Sequence, residues 1–179
     1  MEDIMNLLVG GDDTVDMLAE SLKADRKLIL NGEVDSWCVE EICMQIMKWN
    51  QDDKDIMPEK RKKIYLLINT PGGDAFSGMN MLDVITCSET PVVTIGYGMC
   101  CSMGFYLLCA GKERYCFPNT IVLLHDGSNS IQTTSRKGKD IQAFYDKLDE
   151  KLQEFVVEHT NMDAGYLESV ADREMYLFG

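Results

Sequence analysis

The residues in this sequence best suited to chemistry are a serine, a histidine and a pair of glycines. Ser102 stands between small residues at the start of an apolar run, and Gly72 and Gly73 lie in a turn upstream of it. His125 directly follows the apolar stretch Ile121–Leu124. Such a serine can act as a nucleophile, a histidine at a strand end can act as its base, and a glycine turn can point backbone N–H groups at an anion. Together the three features predict acyl transfer.

Each feature taken alone also has an ordinary structural explanation. A serine at a helix start commonly caps or packs against the helix, and a glycine pair commonly makes a tight turn. His159, the second of the two histidines, lies near the predicted end of a long helix and is expected to be a surface residue there. The combination and order of Ser102, His125 and the glycine turn therefore carry the prediction.

Composition limits the classes of partner. The 179 residues include 30 acidic and 17 basic side chains, a formal charge of −13 that disfavours nucleic acid and anionic membrane surfaces. No apolar stretch reaches transmembrane length, and the first residues are acidic where a secretory signal would be basic, so we expect a cytoplasmic protein. The length suits one domain over residues 27–179, preceded by an acidic segment over residues 1–26, and a domain this small often buries further surface by forming oligomers.

The seven cysteines do not follow the spacing of a metal site or of a disulfide scaffold. No C-x-x-C pair stands near a histidine. We therefore expect buried, reduced thiols that fill small core positions, and neither a bound metal nor a cofactor.

Strand and helix patterns alternate along the chain. The predicted strands are Leu28–Leu30, Ile64–Ile68, Pro91–Ile95 and Ile121–Leu124, and the predicted helices are Thr14–Leu22, Ser36–Trp49, Ser77–Cys87 and Ser102–Cys109. Continuous apolar runs are typical of strands covered on both faces. The alternation predicts an α/β layered fold with a largely parallel sheet, in which ligands bind at the carboxyl ends of the strands. The glycine turn, Ser102 and His125 are all expected at that edge.

The pattern changes after His125. Residues 126–139 are polar and predict a flexible loop, and a long helix is predicted from Asp140. Its apolar stripe consists of Ile141, Phe144, Leu148, Leu152 and Phe155. Periodicity alone leaves open whether this region, residues 126–160, is a projecting arm that packs on another subunit or an ordinary surface helix of the same domain.

Three segments carry a resemblance to a known family. They are Ile68–Gly73, Cys101–Gly104 followed by Leu107–Gly111, and Phe117–Asn119 leading to His125. In this order and spacing they resemble the proteolytic subunit of the Clp protease (ClpP), and the similarity runs from about Leu28 to Leu177. The resemblance implies a crotonase-like α/β fold, stacked oligomeric rings around a chamber, and serine endopeptidase activity on unfolded polypeptides supplied by an ATP-driven AAA+ unfoldase.

The resemblance also implies roles for individual residues. Ser102 falls on the family's nucleophile and His125 on its base. Glu174 falls on the position of the acid, where the family usually has aspartate, and Asp172 is a second candidate. The backbone N–H groups of Gly73 and Met103 fall on the oxyanion hole. A glutamate can still hold an imidazole N–H, and Ser-His-Glu triads are an accepted variant.

The sequence departs from the family in three further places. After His125 it reads Asp126-Gly127-Ser128, where the family usually has glutamine and proline, and Ile131–Thr134 replaces a glycine-rich strand beside the substrate cleft. The N-terminal segment does not match the family's axial loops. Substrate preference, ring contacts and docking of the unfoldase are therefore not implied for this chain.

Other classes of protein remain as alternatives. A non-catalytic ring subunit would share the fold but lack the serine or the histidine, and an acyl-CoA enzyme of the crotonase superfamily would use the oxyanion hole without that pair. An α/β-hydrolase would need glycine two residues before the serine, where Cys100 stands. A relative of signal-peptide peptidases would use a lysine base and usually a membrane anchor.

Overall fold

Strands with apolar inward faces build the sheet at the centre of the molecule. The computed structural model describes residues 12–125, 127, 132–170 and 173–179. The strands are β1 Lys27–Asn31, β2 Ile64–Thr70, β3 Val92–Cys101, β4 Glu113–Cys116, β5 Ile121–Leu124 and β6 Met175–Phe178. The helices are α1 Asp12–Ala24, α2 Ser36–Asp52, α3 Ala75–Thr86, α4 Met103–Cys109, α5 Ser135–His159 and α6 Ala164–Val170, with a 3₁₀ turn over Pro58–Lys60.

The sheet is largely parallel, which confirms the predicted α/β class. Its strand order is β1-β2-β3-β5-β6, and β4 pairs with the first half of β3 while β5 pairs with its end. Among the strands in the described residues, only β6 runs antiparallel to its neighbour, β5. The parallel strands β2, β3 and β5 therefore bring their carboxyl ends to one edge of the molecule.

Helices α2, α3 and α4 pack on one face of the sheet. Ile64, Leu66 and Ile68 of β2 point into this core, where they join Ile46 of α2 and Met81 of α3, all fully buried. Side chains on the opposite face of the sheet, such as Tyr65, Leu67 and Ile95, are only half-buried. The expectation that the strands are covered on both faces is therefore wrong within one chain, because the helices that pack on the sheet share a single core.

Several elements differ from those predicted. Strand β3 continues through Gly96 and Gly98 to Cys101, and α5 begins at Ser135 rather than Asp140. The predicted loop over residues 126–139 lies partly outside the described residues. Strands β4 and β6 and helix α6 were not predicted, since they are short and largely exposed and their local pattern is weak. Helix α1 lies within the predicted acidic N-terminal segment.

The long helix α5 has two different halves. Leu148 and Val156 are buried, and Leu152 and Phe155 pack against the core, so the second half is a surface helix of its own domain. Phe144, in the first half, is 49% exposed and stacks on Phe76 at a ring-centroid distance of 6.0 Å. The predicted apolar stripe is thus only partly covered by its own chain.

The cysteines and His159 match their predictions in part. All seven thiols are free, and Cys43, Cys100, Cys101 and Cys109 are buried. Cys87 and Cys116 are exposed, so the expectation of burial is wrong for them. His159 ends α5 as predicted, but it is half-buried because its ring stacks on Phe155.

Within the described ranges, no helix combines the length and the apolar character needed to cross a membrane.

Candidate active site

Ser102 occupies a strained turn between the end of β3 and the start of α4. Its φ is 53° and its ψ is −121°, a backbone conformation that residues other than glycine rarely adopt. The Ser102 N–H donates to the Leu123 carbonyl oxygen of β5 at 2.8 Å, which holds the turn in place. A sharp strand-turn-helix of this kind presents the central side chain to an open cleft, as in nucleophile elbows.

Gly72 lies directly against this turn. A Cβ atom built on Gly72 would stand 2.7 Å from Ser102 Cβ and 2.8 Å from the Cys101 carbonyl oxygen, and Gly72 has a φ of +103°. Both the close approach and the backbone conformation require glycine. The first glycine of the Gly-Gly turn is therefore required because the backbone at this position contacts Ser102.

The Gly73 amide is turned toward the cleft by the pairing of its neighbours. Val34 N–H donates to the Gly72 carbonyl and Asp74 N–H donates to the Val34 carbonyl, each at 2.8 Å, which forms a parallel bridge between Val34 and Gly73. Successive N–H groups of an extended segment point to opposite sides, so this bridge directs the Gly73 N–H away from Val34.

Met103 supplies a second amide near the first. It is the first residue of α4, and the opening N–H groups of a helix have no partner within the helix. The Met103 nitrogen lies 3.2 Å from the position of a Cβ on Gly72, so it borders the same glycine turn. Two amides beside a candidate nucleophile are the arrangement that an oxyanion hole requires.

Four of the residues singled out in the sequence line one cavity of about 420 Å³: Gly73, Ser102, Met103 and His125. The opposite wall comes from α5, through side chains that include Tyr145, Leu148, Asp149 and Gln153. His125 reaches the cavity because it directly follows the last residue of β5, and it is half-buried. The fold therefore brings together a hydroxyl, an imidazole and two amides from separate parts of the chain.

The hydroxyl and the imidazole are neighbours without a direct bond. In the part of the chain that the structure describes, no hydrogen bond joins Ser102 Oγ to the His125 ring. Catalytic hydrogen bonds are often long or absent without substrate and form only in the complex.

Glu174 does not line the cavity, but the strand register relates it to His125. Strands β5 and β6 pair antiparallel, with Leu123 opposite Tyr176 and Leu124 opposite Met175. Continued one residue beyond the two strands, this register would set His125 opposite Glu174, and directly opposite residues carry their Cβ atoms about 4.5–5.5 Å apart. The Glu174 side chain is exposed, and its Oε2 accepts a hydrogen bond from the Tyr176 hydroxyl at 2.6 Å. Asp172, the alternative acid, lies outside the described residues.

The ionisable groups around Ser102 favour an oxygen nucleophile over a sulfur one. Burial raises the pKa of the Cys100 thiol to about 12 and also raises the pKa of Cys101. Both thiols are therefore protonated at neutral pH, and a thiol attacks poorly in that form. Asp74, also in the cavity lining, caps α3 through the Ser77 amide at 2.7 Å, and hydrogen bonding from Ser77 lowers its pKa.

Sequence reasoning missed two contributions to the site. The wall from α5 carries Tyr145, Asp149 and Gln153 at intervals of four residues, a helical spacing that could have revealed a shared face. Tyr176 was missed because nothing in its local sequence reports a bond to Glu174. No group of three or more histidine, cysteine, aspartate or glutamate side chains suited to a metal ion occurs among the described residues.

Comparison with known proteins gives one family. The model of the family described as Clp protease matches residues 10–179. The chain is 31% identical over 174 residues to ATP-dependent Clp protease proteolytic subunit 1 of Frankia casuarinae, an alignment that covers 93% of this chain and 76% of that protein. It is 28% identical over 174 residues to ATP-dependent Clp protease proteolytic subunit 2 of Rhodococcus jostii, with 96% of this chain and 86% of that protein covered.

Proposed function

This chain belongs to the Clp protease family, and on that premise we propose that it is a serine endopeptidase subunit that cleaves unfolded polypeptides. The proposed nucleophile is Ser102, the base is His125 and the acid is Glu174. The proposed oxyanion hole consists of the N–H groups of Gly73 and Met103. The observation that carries the proposal is the strained turn of Ser102, which opens on the same cavity as His125 and the glycine turn.

The proposed reaction follows from these positions. His125 accepts the proton of Ser102 while Oγ attacks the scissile carbonyl, and the resulting oxyanion receives hydrogen bonds from Gly73 and Met103. His125 then protonates the leaving amine, which yields an acyl-enzyme. Water, activated by His125, hydrolyses the acyl-enzyme and restores the serine.

Strand register supports Glu174 as the acid. Glu174 falls opposite His125 when the β5–β6 ladder is continued by one residue. A carboxylate there can accept the imidazole N–H and stabilise the imidazolium that forms during attack.

Exposed apolar surface supports assembly into an oligomer. Ile29, Leu67, Ile95 and Tyr115 stand side by side across β1, β2, β3 and β4. Ile29 is 44% exposed and Tyr115 is 56% exposed. A contiguous apolar row on a protein surface is a typical subunit interface. We propose that further copies of this chain cover it, in stacked rings that enclose the active sites.

The proposed supplier of substrate is an ATP-driven AAA+ unfoldase. Both compared relatives carry names that describe the proteolytic subunit of an ATP-dependent protease. A closed chamber would admit only unfolded chains, so an unfoldase would determine which proteins are degraded. The cytoplasmic location stays a prediction from the sequence.

A fluorophosphonate probe tests the proposed chemistry. We expect the probe to label Ser102, located by mass spectrometry, and we expect Ser102→Ala and His125→Ala each to lower hydrolysis of a short fluorogenic peptide by about 10⁴-fold or more. Ser77→Ala is the matched control, since Ser77 belongs to the neighbouring helix α3. A non-catalytic ring subunit or an acyl-CoA enzyme would not be labelled at Ser102. Near-full activity of Ser102→Ala would refute the proposal.

A further inference from the structure

The Tyr176 hydroxyl donates to one oxygen of the Glu174 carboxylate. The O–O distance to Glu174 Oε2 is 2.6 Å, within the range of a charge-assisted hydrogen bond. Glu174 directly precedes β6 and Tyr176 is the second residue of that strand, so in extended chain their side chains lie on the same side. The bond therefore holds the Glu174 carboxylate on the side of the chain that carries Tyr176.

A carboxylate has two oxygens, and this bond engages only Oε2. The residue opposite Glu174 in the continued register is His125. We propose that Tyr176 is a positioning residue, which holds Glu174 by Oε2 so that Oε1 remains to accept the N–H of His125. This inference rests on the proposed role of Glu174 as the acid.

A glutamate acid gains more from such a device than an aspartate would. Glutamate has one more rotatable bond than the aspartate usual in the family, and each additional rotamer costs entropy when the side chain must hold one geometry. A phenol at a fixed distance along the same strand restricts those rotamers before substrate binds. Preorganisation of this kind improves the catalytic step rather than substrate binding.

Tyr176 is little needed for the core. It is 55% exposed, and its partner across the ladder, Leu123, is held by backbone pairing. Its hydrogen bond to Glu174 raises the pKa of the Tyr176 phenol, so the hydroxyl remains a donor throughout the neutral range. Loss of the hydroxyl should therefore change the acid's position without unfolding the domain.

Tyr176→Phe tests the inference, since it removes the hydroxyl and keeps the ring. We expect kcat for a fluorogenic peptide to fall on the order of 10-fold with KM unchanged, because a hydrogen bond to a charged group is lost. In a Glu174→Gln background the same change should have little further effect, because both residues act through one carboxylate. Tyr166→Phe is the matched control, since the Tyr166 hydroxyl contacts Met175 Sδ rather than Glu174. Thermal melts confirm that the variants are folded.

The outcomes separate this inference from the proposed function. If Tyr176→Phe keeps full kcat while Glu174→Gln is impaired, the positioning role is wrong and the triad stands. If the two changes are additive, or if Tyr176→Phe raises kcat, Tyr176 does not position the acid. A silent Glu174→Gln removes the proposed acid and the inference together, whereas an active Ser102→Ala refutes the peptidase itself.

Discussion

At the scale of single residues, the site depends on one strained serine and on a histidine at a strand end. The backbone of Ser102 adopts a conformation that costs on the order of 1–3 kcal/mol, and the surrounding contacts must supply that energy. Gly72 and the Leu123 carbonyl provide two of those contacts. Strain retained at such a position is typical of residues that carry function.

The acid can be identified by single substitutions. We expect Glu174→Gln to lower kcat by about 10²-fold to 10⁴-fold with little change in KM, because the amide keeps the shape but does not stabilise the imidazolium. Steady-state kinetics on a fluorogenic peptide measure the effect, with Asp172→Asn as the comparison. If Asp172→Asn is the damaging change and Glu174→Gln is silent, the two roles must be exchanged.

At the scale of elements, the site lies where three connections meet. The glycine turn after β2, the elbow after β3 and the end of β5 converge at one edge of the sheet. Parallel pairing of these strands produces the convergence, because it aligns their carboxyl ends. The antiparallel strand β6 begins at this edge, where Met175 pairs with Leu124, and Glu174 directly precedes it.

Substitutions at two glycines can distinguish the cost of backbone conformation from the cost of a close contact. Gly72 and Gly32 both have positive φ, but a Cβ on Gly32 would meet nothing within 4 Å. We expect Gly32→Ala to cost about 1 kcal/mol of unfolding free energy from conformation alone. Gly72→Ala should cost about 1–3 kcal/mol more from overpacking against Ser102, and it should abolish peptide hydrolysis. Urea unfolding and kinetics measure both, and equal effects at the two positions would contradict this account.

A part-buried ion pair joins Arg26, which precedes β1, to Asp53, which follows α2. Both oxygens of Asp53 accept from the Arg26 guanidinium, at 2.5 and 2.6 Å, and Thr90 donates to Asp53 as well. The Arg26 hydrogen bonds hold the pKa of Asp53 below its ordinary value. A depressed folded-state pKa stabilises the fold above the unfolded pKa of about 3.9, and this contribution is lost as the pH falls through the folded pKa.

Asp53→Asn should therefore destabilise the protein at neutral pH by about 1.5–3 kcal/mol, since Arg26 loses its charged partner and keeps the Lys62 carbonyl. The deficit relative to wild type should shrink as the pH falls below about 4. Denaturant unfolding across pH 3–7 measures this dependence. Asp55→Asn, at an exposed position on the same loop, is the control, and a deficit that does not change with pH would contradict the prediction.

At the scale of the whole molecule, two of the apolar surfaces that the described residues leave exposed bear on assembly. One is the outer face of the sheet, and the other is the first half of α5, where Ile141 is 36% exposed and Phe144 is 49% exposed. The second half of α5 packs through Leu152 and Phe155 on its own domain, so the first half offers the larger apolar surface to another subunit. Both surfaces agree with the proposed assembly into rings.

Sedimentation tests the assembly. We expect the wild type to sediment as an oligomer that cleaves short peptides and leaves folded proteins intact unless an ATP-driven unfoldase is added. Ile141→Glu/Phe144→Glu should give smaller species and lower peptidase activity, because charges in an apolar interface are costly to bury. Gln142→Glu/Ala143→Glu adds two negative charges at exposed positions of the same turn and should behave like wild type. A monomeric wild type with full peptidase activity would refute the chamber.

The sequence alone determined the alternation of strands and helices and the candidate roles of Ser102 and His125. These follow from local patterns and from motifs within a few residues of one another, which the chain carries whatever its tertiary contacts. Short exposed strands such as β4 and β6 could not be predicted from the sequence. They are stabilised by pairing with segments distant in the chain rather than by local propensity. The exposed outer face of the sheet could not be predicted either. A run of apolar residues does not specify whether a helix of the same chain or another subunit will cover it.

Only the tertiary structure decided the positive φ of Ser102, the direction of the Gly73 amide and the register that pairs Leu124 with Met175, the neighbours of His125 and Glu174. Each depends on pairing between segments far apart in sequence. The bond from Tyr176 to Glu174 depends on side-chain rotamers as well. Register and rotamer are properties of the packed chain, because a shift of one residue in β6 would turn Glu174 to the other face of the sheet.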